Sequence, residues 1–156
     1  MESLVHILMP LLIGAVLTLV CVCVQTVSNI ALLYWMLRRF AKAEQNFALV
    51  WRVWVVVRLI FAFIGIHLTQ IGTWAIGYLF LGCFSSLEEA LYFSFASFST
   101  SEAGESTLPK HWRLLGPFEG LNGIIAVGLS IGFMFTVISR LQESRVQRQQ
   151  ESQQTE

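Results

Sequence analysis

Two carboxylates three residues apart, Glu102 and Glu105, stand in the polar run Thr100-Ser101-Glu102-Ala103-Gly104-Glu105-Ser106-Thr107-Leu108-Pro109. The preceding residues, 86–99, are too apolar for a surface loop and too few to cross a bilayer. Irregular backbone at membrane depth is tolerated only where protein buries it or water bathes it. A water-filled pore lining meets that condition, and carboxylates repeated from several subunits form the kind of ring found in cation-selective pores. Glu102 is the main candidate to attract a permeant cation, with Glu105 as an outer charge. The competing reading is a pair of solvated loop carboxylates, and Glu105 has the further option of pairing with Lys110 or Arg113 at small gain.

The elements that would position these groups follow from hydropathy. The chain has 156 residues, of which 55% are hydrophobic and only 13% charged, against roughly 25% charged in a soluble domain. Ten Lys+Arg balance ten acidic residues, all of them glutamate, so no global field draws the chain to nucleic acid. The bilayer is the expected partner. An apolar run over residues 4–37 ends at Arg38-Arg39 and predicts a first spanning helix. A second run, 47–84, overshoots the hydrocarbon, so its start, with Trp51, Arg52, Trp54 and Arg58, should lie at an interface. A third, about 117–138, opens with Pro117 and stops at Arg140.

Between the second and third runs, Ser86-Leu87-Glu88-Glu89 has the capping-box spacing and precedes a short apolar stretch. A helix there reaches only some 20 Å and predicts a re-entrant element, with an interfacial amphipathic helix as the alternative. Its C-terminal dipole end would point toward a passing cation. Arg38, Arg39, Lys42 and Arg52 flank the first connector and Arg140, Arg145 and Arg148 follow the last run, against only Lys110 and Arg113 between runs two and three. The positive-inside rule then places the amino terminus outside and the carboxyl terminus in the cytoplasm of a multi-pass cell-membrane protein, the inner membrane for a bacterium. The expected organisation is 1–46 as amino-terminal helix and basic connector, 47–140 as pore domain, and 141–156 as a polar tail that either prolongs the last helix or frays.

At Leu91-Tyr92-Phe93-Ser94-Phe95-Ala96-Ser97-Phe98-Ser99-Thr100 the chain resembles the pore helix of the potassium-channel two-helix pore module, in its small bacterial form with one extra amino-terminal helix. The stretch from Leu108 through Pro117 to Gly123 resembles that module's turn into its inner helix. The family's filter reads Thr-Val-Gly-Tyr-Gly-Asp. Here Thr100 and Gly104 match, while Ser101, Glu102, Ala103 and Glu105 replace the rest. Glu102 stands where the family has a glycine that permits carbonyl-lined geometry, so potassium selectivity should be lost. The order Thr-x-Glu after a pore helix is similar instead to the filters of bacterial sodium channels.

The resemblance implies an all-α membrane protein with three transmembrane helices and a re-entrant pore helix, assembled as a homotetramer. Its filter would be Thr100, Ser101, Glu102, Ala103, Gly104 and Glu105, passing Na+ or Ca2+ with no other cofactor. Gly123, Gly128 and Gly132 are inner-helix hinge candidates, with close helix packing as the alternative. Phe133 and Phe135 are candidates for a hydrophobic gate, with lipid- or helix-facing packing as the alternative for each. A non-conducting, channel-like sensor or partner-binding subunit is the competing function. No nucleophile–base set or Gly-rich phosphate loop suggests an enzyme.

Other polar residues have structural explanations. Glu88 and Glu89 fit a helix cap, and Glu119 fits the dipole at the start of the last helix. His67 and Gln70, about one turn apart, are expected to bond between helices rather than to hold a metal. Cys21, Cys23 and Cys83 read as small packing residues.

Overall fold

A computed structural model describes residues 2–42, 49–101, 104 and 107–154, with side chains from 8–38, 50, 53–101, 104 and 107–140. Its helices are α1 (Glu2–Lys42), α2 (Leu49–Phe80), α3 (Leu87–Phe98) and α4 (Leu115–Gln154), with a 3-10 turn at Lys110–Trp112 before α4. Three apolar stretches have membrane length: Leu8–Arg38, Val53–Phe80 and Lys110–Arg140. The protein is an all-helical, multi-pass membrane protein in which α3 is the re-entrant element.

Local sequence explains where these helices begin and end. α1 runs through the Arg38-Arg39 pair to Lys42, because an arginine pair ends a hydrocarbon span without breaking helical backbone. α4 starts at Leu115, two residues before Pro117, which therefore lies in the first turn where its missing N–H costs nothing. The polar tail continues α4 to Gln154. α3 has 12 residues, about 18 Å at 1.5 Å per residue, against some 30 Å of hydrocarbon. Its cap is Ser86, whose Oγ accepts from the Glu89 N–H at 3.2 Å, a contact worth about 1 kcal/mol. The Glu89 carboxylate accepts from Ser85 Oγ instead of returning to the cap.

α3 packs between α2 and α4, and α1 lies across α4 and α2. Lipid tails are as apolar as leucine, so this packing depends on close fit and interhelical hydrogen bonds. One buried cluster joins Cys21, Trp74, Tyr78, Ala90, Phe93, Leu108 and Leu115 at the α3 end of the bundle. Another joins Met36, Val55, Leu59, Phe63 and Val137 at the end where α1 and α2 connect. Between them lies a polar layer. Gln70 Nε2 donates to Gln25 Oε1 at 2.7 Å, Gln25 Nε2 donates to Ser130 Oγ at 3.1 Å, and Ser130 Oγ lies 3.3 Å from His67 Nε2. His67 and Gln70 thus meet partners on other helices, and α1 is tied to both α2 and α4.

Candidate pore site

α3 ends in a turn that sets the course of the chain. The Thr100 N–H bonds to the Ser97 carbonyl at 3.0 Å and the Ser101 N–H to the Ala96 carbonyl at 2.8 Å, the paired bonds of a Schellman motif. The same pair closes α2, where the Gly82 N–H reaches Leu79 and the Cys83 N–H reaches Tyr78. Both central residues are left-handed, Gly82 at φ 66° and Thr100 at φ 57°. Glycine adopts that conformation freely, whereas a β-branched residue is strained there. Among the described residues Thr100 alone has positive φ without being glycine. Strain of this kind persists only where its surroundings enforce it. Here the enforcing contacts are the two cap bonds and the fit of α3 against α4.

That fit is close. A Cβ on Gly123 would lie 2.1 Å from the Phe98 carbonyl oxygen, and one on Gly120 would lie 3.3 Å from that of Ser97. Gly123 is therefore a close-packing residue against the end of α3. Gly128 and Gly132 have open space around them and remain free to serve as hinges.

The exposed side of this turn opens into a groove of about 790 Å³. Ser97, Thr100 and Ser101 line one wall, and Gly116, Pro117, Gly120, Leu121 and Ile124 of α4 line another, with Lys110 and Arg113 also bordering it. Starting within the groove, Leu121, Ile124, Gly128, Ile131 and Phe135 recur at three- and four-residue steps and are all exposed, so they form one stripe down α4. Phe135 stands on that stripe. Phe133 does not: its ring packs edge-on against Phe63 of α2 at 5.7 Å. The two gate candidates thus face different ways, and only Phe135 lies on the face that continues the groove.

Behind the turn, on the protein side, Glu119 is fully buried. It accepts from the Tyr78 hydroxyl of α2 at 2.6 Å and from Ser94 Oγ of α3. Ser94 Oγ also lies 2.8 Å from the Ile71 carbonyl. The Tyr78 ring in turn packs with those of Phe84 and Phe93, the three centroids lying 5.2–6.0 Å from one another. Glu119 is thus a bridge between three helices rather than a dipole-capping surface carboxylate. A glutamate in an otherwise apolar run was the only sequence signal of that role. Its partners lie 41 and 25 residues away. Burial also pushes the Cys83 thiol, in the loop after α2, up to about 11, which suits a packing cysteine.

Of the six filter candidates, Thr100, Ser101 and Gly104 are described, and Gly104 is left-handed at φ 60°. Glu102, Ala103 and Glu105 lie outside the described residues. A family model described as an ion channel matches residues 53–140, a range that covers α3, the run after it and nearly all the apolar length of α2 and α4. Comparison with curated proteins and with solved structures found no significant match.

Proposed function

The chain belongs to the ion-channel family of two-transmembrane, potassium-channel-like domains, and on that premise we propose that it is the subunit of a tetrameric cation channel without potassium selectivity. Sodium and calcium are the proposed permeant ions. The observation that carries this reading is the groove at the end of α3, open on one side in the single chain and continuous with the exposed stripe of α4. Identical subunits most often close such a surface by cyclic symmetry, and four copies would turn the grooves and stripes toward one axis. In this assembly Glu102 forms the inner ring and Glu105 the outer charge. Phe135 forms the constriction at the far end of the stripe. The connector after α1 and the tail face the cytoplasm.

A ring of four carboxylates carries its own test. Two unit charges about 7 Å apart repel by roughly 2 kcal/mol at an effective dielectric near 20, so an empty, fully ionised ring is costly and a divalent cation or protons relieve it. Single-channel recording of the purified protein in planar bilayers, under sodium–potassium gradients, should give reversal potentials with no large potassium preference. Calcium should block the monovalent current and acid should reduce it. Glu102→Gln should weaken both effects, and Glu105→Gln should weaken them less. A strong potassium preference, or block unchanged in Glu102→Gln, would place the carboxylate outside the pathway. Absence of current from correctly assembled protein would favour the non-conducting sensor.

A further inference from the structure

At the end of the bundle where α1 and α2 connect, Arg58 is held in an arrangement that the channel reading does not use. It is the sixth residue of the apolar stretch Val53–Phe80. Its guanidinium carbon lies 4.6 Å from the ring centroid of Trp35 on α1 and 5.2 Å from that of Trp54 on α2. The two indoles engage the cation through its π contacts. The N–H groups lie in the guanidinium plane, away from these ring faces, and form a fork matched to phosphate. Among the described residues no group accepts a hydrogen bond from Arg58 and none forms an ion pair with it. The glutamates with described side chains, Glu88, Glu89 and Glu119, all stand at the opposite end of the bundle.

Two further features narrow the ligand. Arg38, three residues along α1 from Trp35, stacks over Tyr34 at 4.3 Å, so this end presents a second arginine, on α1. Beside Arg58 runs an open groove of about 290 Å³ lined by Trp54, Val57, Arg58 and Phe61, which at their i, i+3, i+4 and i+7 spacing form one face of α2. An arginine whose in-plane donors meet no acceptor among the described residues, at the edge of an apolar face in the membrane, calls for an anion that brings its own hydrocarbon. We propose that this is a binding site for an anionic phospholipid, the phosphate taken by Arg58 between its two indoles and an acyl chain laid along the Trp54–Phe61 face. The site stands on these contacts alone and is independent of which ions, if any, the assembly conducts.

The test is native mass spectrometry of the full chain released from detergent, titrated separately with phosphatidylglycerol and phosphatidylcholine, and with phosphatidylglycerol in the presence of inorganic phosphate. Wild type should retain phosphatidylglycerol about tenfold more tightly than phosphatidylcholine, the size expected of a charge-assisted hydrogen-bonded pair. Arg58→Gln should abolish that preference. Arg58→Lys keeps the charge and serves if the glutamine variant misfolds. It should lose most of the preference, because lysine has neither the fork nor the planar stack. Trp54→Leu should weaken both lipids while leaving the assembly mass unchanged. The proposal is overturned if Arg58→Lys binds like wild type, if Arg58→Gln retains the preference, or if inorganic phosphate displaces phosphatidylglycerol. It is equally overturned if Arg58→Gln changes the number of chains per assembly without changing lipid retention, since the groove would then be a contact between copies.

Discussion

Glu119 is the residue whose chemistry depends most on its neighbours. Its oxygens take hydroxyl donors from two different helices, Tyr78 on α2 and Ser94 on α3, while its own backbone belongs to α4. Glutamine has the same shape but only one acceptor oxygen, so Glu119→Gln leaves one hydroxyl facing an amide donor. Loss of one buried partner costs about 1–3 kcal/mol, and thermal unfolding in detergent should show a lower midpoint for the variant. Tyr78→Phe removes one donor and should cost less. In the double variant Glu119→Gln/Tyr78→Phe the losses should fall short of their sum by about 1 kcal/mol, because both changes disable the same contact. Strict additivity would mean that the two side chains do not act as a pair.

Elements divide the labour among the glycines of α4. The helix approaches the end of α3 so closely that a methyl at Gly123 would meet the Phe98 carbonyl at 2.1 Å, and backbone cannot yield as a flexible side chain can. Gly123→Ala should therefore displace α3 and cost at least about 2 kcal/mol, in the range of core overpacking. Gly128 faces open space in the single chain, so Gly128→Ala should be neutral or stabilising by up to about 1 kcal/mol through helix propensity. Thermal unfolding measures the first contrast. Open probability tests the proposal that Gly128 is a hinge: if it is, Gly128→Ala should change open probability while conductance through the filter stays the same. A larger stability loss at Gly128 than at Gly123 would reverse the assignment of packing glycine and hinge.

At the scale of the whole molecule, α1 stands outside the matched pore region, which begins at residue 53, yet it is bonded into it. Gln25 joins Gln70 of α2 and Ser130 of α4 in the buried polar layer. Hydrogen bonds between membrane helices average about 0.6 kcal/mol, but Gln70 Oε1 already has no partner. Gln25→Leu should therefore strand the Gln70 amide and cost about 1–2 kcal/mol. Adding Gln70→Leu should recover part of that loss, as read by thermal unfolding. Assembly belongs to this scale too. Native mass spectrometry should count four chains, because one α3 and one α4 per chain cannot enclose a pathway. A stable dimer under conditions that preserve current would overturn the tetrameric pore.

Hydropathy and capping are local, and what depended on them was legible in the residues themselves: three membrane-length helices, the short helix starting at Ser86, and the polar run after Ser99. Helix ends were legible only approximately, since Arg38-Arg39 and the Gln-rich tail end an apolar span without ending a helix. The faces were not legible at all. In water an apolar stripe marks the protein side of a helix, but in a bilayer lipid and protein are equally apolar, so hydropathy does not say which face of α4 meets which. For that reason Phe133 and Phe135 looked alike, and Gly123, Gly128 and Gly132 could not be ranked. Glu119 passed for a dipole-capping charge because its partners come from α2 and α3. Those assignments follow from the meeting of residues far apart in the chain, a matter of close packing and hydrogen-bond geometry that only the tertiary structure decides.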